Sequence, residues 1–119
     1  MEGAPALDLL REWQVQLTAK RGIDILIGSK IHTFLEQAGL HHITQRELPV
    51  PFGPHGGRIG KMAESNYFAI METLRGPLAA TDIASAQTVD EVIQAARAET
   101  AQGNLINMFY LAYGQVPAR

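Results

Sequence analysis

The chain has 119 residues, 46% of them hydrophobic and 18% charged, with a formal net charge of −2. That balance fits one small folded domain and excludes a disordered chain; it gives no reason to expect nucleic acid or an anionic membrane as partner. There is no cysteine, so disulfides, thiolate chemistry and cysteine-based zinc sites are excluded, which suits a reducing cytoplasm. The first residues lack the basic start and apolar run of a signal peptide, and no stretch is long and apolar enough to span a bilayer. The expectation is a cytoplasmic protein.

Residues 6–20 predict a first helix. Leu7, Leu10, Trp13 and Leu17 recur at steps of three and four, Pro5 suits a first turn, and Gly22 stops the helix. Trp13 reads as core. The apolar run 23–27 is either extended or irregular. A second helix is expected over 29–38, capped by Ser29, with Ile31, Phe34, Leu35 and Ala38 on its buried face and Gly39 as a left-handed C-cap. Residues 42–50 predict a strand whose Pro49 and Pro51 place its end at an edge or outside the sheet.

Gly53, Pro54, Gly56, Gly57 and Gly60 then form a turn-rich loop. A helix follows over 58–74, with Ile59, Met62, Ala63, Tyr67, Ile70, Met71 and Leu74 on one face. That face is either ordinary core or the wall of an apolar pocket. Gly76-Pro77 is expected to break the helix. Thr88 and Glu91 have the spacing of a capping box, so a further helix is predicted over 88–101, with Arg97 and Glu99 on its solvated face. Residues 105–113 form a last strand, apolar on both faces apart from Asn107. Such a strand belongs inside a sheet covered on both sides. With only one other strand in view, the expected fold is α+β and mostly helical: four main helices and two antiparallel strands, with 52–102 inserted between them as part of a single domain. Another chain would have to supply the rest of the sheet, or the helices wrap the pair tightly.

The chemistry-bearing residues are few. The glycine loop lies between a strand and a helix, as nucleotide loops do, but a Walker loop would need glycine at His55 and serine or threonine at Met62. An anion resting on the amides of 57–60, near Arg58 and Lys61, competes with a plain hinge. Of His32, His41, His42 and His55, no pair has the i, i+4 spacing of a metal site, so no metal is expected. His55 alone is a candidate acid or base. Arg58, Met62, Asn66, Tyr67 and Ile70 are the candidate substrate-binding residues. The Tyr67 hydroxyl needs a partner if buried, and Asn66 is a poor helix former whose amide is either used or exposed.

Several segments together resemble one family. They are Leu10 to Trp13, Gly22 to Ile25, Leu35 to Leu40 leading into a strand that ends Val50-Pro51-Phe52-Gly53, and the closing run Phe109 to Gly114. They resemble the C-terminal part of class I S-adenosylmethionine-dependent methyltransferases of the small-molecule type, over Leu7 to Pro117. The resemblance implies that the two strands are the last, antiparallel pair of a seven-stranded sheet and that the insertion is a substrate-side cap. The glycine turn and the ribose-binding acid of that family's cofactor site have no counterpart here. The expectation is therefore a segment with no cofactor site of its own, which meets S-adenosylmethionine only if a partner chain supplies that site. The rival expectation is a free-standing homodimer that binds an apolar small molecule or serves in assembly. A third, a small enzyme with His55 as base, lacks a group placed to orient that histidine.

Overall fold

A computed structural model of the chain describes residues 4–118. Among these residues the chain forms four helices and one two-stranded antiparallel sheet, the mostly helical α+β class that the sequence predicts. The order is α1 (Pro5–Ala19), α2 (Ile31–Gln37), β1 (His41–Phe52), α3 (Gly57–Ala80), α4 (Ala86–Gln102) and β2 (Leu105–Gln115), with short 3-10 turns at Ile27–Lys30 and Pro54–Gly56.

The core lies between α1, α3, α4 and the end of the sheet where Phe52 pairs with Leu105. α1 contributes Leu7, Leu10, Trp13 and Leu17, the stripe its spacing predicts. Its N-cap, Ala4, has no side chain to meet the free amides of the first turn. Glu99 of α4 meets them instead, accepting from the Ala6 and Leu7 amides at 2.7 and 3.0 Å. Glu99 is thus an interhelical cap, not a solvated residue. Arg97 is likewise engaged: it donates to Glu72 at 2.8 Å and lies 4.6 Å above the Phe68 ring.

α3 departs from expectation in two ways. It runs through Gly76 and Pro77 to Ala80, because Leu78 is fully buried and the Pro77 carbonyl accepts from both the amide and the hydroxyl of Thr81. Its buried face is Gly60, Phe68, Met71 and Leu78, with Ala63, Tyr67 and Leu74 half-buried. The predicted stripe therefore splits, and Ile59, Met62 and Ile70 turn outward. α4 begins three residues before its expected cap: Ser85 is the N-cap and its hydroxyl accepts from the Thr88 amide at 3.2 Å.

The two strands pair in a long ladder from His41–Gln115 to Phe52–Leu105, with an irregularity at His42, whose φ is 52°. β1 continues through Pro49 and Pro51. One sheet face carries Gln45, Glu47, Met108, Tyr110 and Ala112; it is covered by α2 and the turn before it. There Gly28 packs so close to the Tyr110 ring that a Cβ would stand 2.6 Å from it, and the His32 amide donates to Gln45. The other face is covered only at the Phe52–Leu105 end. Beyond it Leu48, Phe109, Leu111 and Tyr113 are each about half exposed. The segment 23–27 is a turn leading into 3-10 structure, not a strand, and its isoleucines and Leu26 are exposed. α2 buries none of its residues, and Phe34 points outward against the expected core face.

Candidate functional site

The glycine loop is a packing device. The Gly53 amide donates to the Gly60 carbonyl at 3.0 Å, and any Cβ on Gly60 would collide with the Gly53 carbonyl. Gly53 has φ 110° and Gly57 φ 64°, conformations that side chains resist. The loop thus closes on the first turn of α3. His55 sits in it exposed, and among the described residues no side chain bonds to it.

The predicted binding residues fall on two sides of α3. Arg58, Met62 and Asn66 line an open depression of about 670 Å³ on the outer face, with Lys61, Ser65 and Ala69. Ile70 is exposed on the same side of the helix. Tyr67 alone points inward. Its ring meets Phe52 edge-on at 5.6 Å and Phe68 at 5.7 Å.

Tyr67 stands at the head of a second, more enclosed cleft of about 420 Å³, walled by α1, the 25–26 segment, the end of β1 and β2. Ile106, Met108 and Tyr110, from one face of β2, line this cleft together with Asn107 from the other. β1 occupies one edge of β2, and the other edge has no strand partner among the described residues. An adjoining hollow of about 350 Å³ continues past Arg11, Met108 and Tyr110 to Gly28 and Ser29.

Polar groups converge at the head of this cleft. The Tyr67 hydroxyl donates to Gln14 Oε1 at 3.4 Å. Burial pushes the phenol up to about 12, opposed by the nearby Arg11 charge and reinforced by Asp8. The hydroxyl therefore stays protonated through the neutral range. Arg11 and Asn107 form no hydrogen bond or ion pair with the described residues, whereas Asp8, which also lines the cleft, is itself partnered. Arg11 and Gln14 are functional candidates that sequence reasoning missed. They follow Leu7 at i+4 and i+7, on the margin of the buried stripe of α1, and spacing does not say which margin faces a cavity. Asn107 left a signal: it is the polar interruption in an otherwise apolar strand. No cluster of three or more histidine or acidic side chains among the described residues could hold a metal ion. No described helix is long and apolar enough to cross a membrane. No protein-family model, curated protein or solved structure matches this chain.

Proposed function

We propose that this chain is the acceptor-side cap of a methyltransferase-like enzyme, whose cofactor-bearing sheet is supplied by further polypeptide pairing with the open edge of β2. The observation that carries this reading is that free edge, beside a cleft that β2 helps to line. It belongs to a strand apolar on both faces, the composition of a strand inside a sheet covered on both sides. The resemblance to the methyltransferase C-terminal part supports the same placement. The glycine turn and ribose-binding acid of the resembled family have no counterpart in this sequence, so the cofactor would be held by the completing segment. The role of the present chain is to wall the acceptor side with α1, α3 and the end of β1, excluding water there.

The test has two arms. Calorimetry on the isolated chain should show no saturable binding of S-adenosylmethionine. Co-expression with a cofactor-binding polypeptide encoded beside it should yield a complex in which the β2 amides exchange slowly and the cofactor binds. Micromolar cofactor binding by this chain alone sinks the reading.

A second reading, a homodimer, is favoured by the surface area. The chain exposes 7841 Å², against about 6,300 Å² for a folded monomer of its mass. The excess of about 1,500 Å² is what one protomer buries in an obligate dimer. Light scattering of the chain with and without the co-expressed cofactor-binding polypeptide separates the two readings: in the first that polypeptide displaces self-association, in the second the homodimer persists.

A further inference from the structure

We propose that the head of the cleft between α1, β2 and Tyr67 binds a small aromatic carboxylate, its carboxylate on Arg11 and its ring beside Leu26 and Met108. The inference extends the acceptor-side reading by naming a ligand class. It moves the binding site from the outer face of α3 to the inner side of that helix.

The shape is the first argument. Four elements wall the cleft, and about 420 Å³ lies within the range of small-molecule sites. The outer depression is lined by α3 alone, so nothing there encloses a ligand. The second argument is the walls. Leu7 and Phe52 are fully buried beneath the cleft, while Leu26 and Met108 are about half exposed at its sides. A flat ring suits such walls, and methionine sulfur packs well against an aromatic edge.

The third argument is the polar set. Arg11 is a donor only and has no partner among the described residues. Gln14 uses its carbonyl oxygen on the Tyr67 hydroxyl, which leaves its amide N–H groups to donate. Asn107 adds a further unpaired amide. Tyr67, protonated and already committed as donor, presents its remaining lone pair. Donors therefore outnumber acceptors, and they select an acceptor-rich anion. A guanidinium matches a carboxylate in two parallel hydrogen bonds. Asp8, an acid that also lines the cleft, has an interaction of its own, and the anion is held by the directed hydrogen bonds of Arg11, not by a net positive charge of the cleft.

The test uses the whole chain and its methionine methyl groups, which report both candidate sites. Met108 lies in the cleft and Met62 in the outer depression. 2-Naphthoate, titrated to millimolar concentration, should shift the Met108 methyl resonance and leave that of Met62 in place. The neutral analogue 2-naphthalenemethanol should bind about fivefold more weakly, and Arg11→Gln should remove that difference, given the modest worth of a partly exposed ion pair. Arg11 is exposed, so the variant should stay folded, which the unchanged Met71 core resonance verifies. A shift at Met62 instead of Met108 overturns the proposal. So does equal affinity for the acid and the alcohol, or no shift at either methionine. The completed-sheet reading is read separately, from β2 amide exchange, so either idea can fail without the other.

Discussion

Gly60 shows how a single hydrogen atom sets a junction. Its carbonyl accepts from the Gly53 amide while its α-carbon lies against the Gly53 carbonyl, so strand end and helix start touch backbone to backbone. Gly60→Ala should lower stability by about 3 kcal/mol or more in urea denaturation, because backbone on both sides must shift. Glu64 offers the opposite case. Its Oε2 is buried without a hydrogen-bond partner, and both this atom and the Thr100 carbonyl oxygen lie within 3.5 Å of where a Gly53 Cβ would stand. Both oxygens flank one point, and both are acceptors. Glu64→Gln places a donor among them and should raise stability by about 1 kcal/mol, measured by the same denaturation. Tyr67 gives a pH signature. Its folded pKa is raised to about 12 from 10.0, so the neutral form is favoured in the fold. Its contribution is complete below pH 10, and is lost as pH rises from 10 through 12, where the unfolded chain gives up the proton first. The wild-type chain should lose up to about 2 kcal/mol more than Tyr67→Phe between pH 9 and pH 12. Parallel curves for the two proteins would show that the phenol is solvated.

At the scale of elements, helix ends and helix faces matter most. α1 starts without a capping side chain of its own and borrows Glu99 from α4. Glu99→Ala leaves two amides unpaired and loosens the α1–α4 contact. It should cost about 2 kcal/mol, with the earliest amide exchange at Ala6 and Leu7. α3 tolerates Pro77 because the helix ends three residues later and Leu78 is anchored in the core. The same helix carries Gly76 with open space around it. Gly76→Ala should therefore stabilise by about 0.5–1 kcal/mol, through the lower backbone entropy of the unfolded chain. Exposed ion pairs join α3 to α4: Arg75 with Asp90 through two bonds of 2.8 and 2.9 Å, and Glu72 with Arg97 at 2.8 Å. The buried Phe68, Met71 and Leu78 set the rotation that turns Met62 and Ile70 to the outside.

The molecule as a whole is extended for its length. Its radius of gyration is 17.1 Å and its long axis 57 Å, where a compact chain of this size would have a radius of about 13.5 Å. The helical core is closed, but the sheet reaches beyond it and leaves Leu48, Phe109, Leu111 and Tyr113 half uncovered. Burying the exposed half of each stabilises by about 1 kcal/mol, so the four together contribute about 4 kcal/mol, a sizeable part of the stability of a small domain. We therefore expect the pure chain not to remain a monomer at low micromolar concentration. Light scattering should give at least twice its 13.0 kDa mass. A folded, monodisperse 13.0 kDa species would show that α1, α3 and α4 hold the chain together unaided.

The sequence by itself determined the element inventory, because periodicity is local chemistry. The 3.6-residue stripe of α1, the alternating positions of β2 and the turn at Gly53 all follow from residues near one another in the chain. The strand pair and the buried Trp13 were legible for the same reason. What spacing could not reach was orientation. α3 has apolar residues on more than half its circumference, so spacing put Ile59, Met62 and Ile70 on the buried face and left Phe68 off it; the burial of Phe68, Met71 and Leu78 and the Gly53–Gly60 contact decided otherwise. The proline break failed because a buried Leu78 outweighs a local preference. Glu99 looked solvated because the amides it caps lie more than 90 residues away, whereas Arg97 is exposed as expected while pairing with Glu72, 25 residues away. The cleft was invisible for that reason too. It joins Arg11, Tyr67 and Asn107 from three distant segments, and only the packing of α1 against the rest of the fold brings them together.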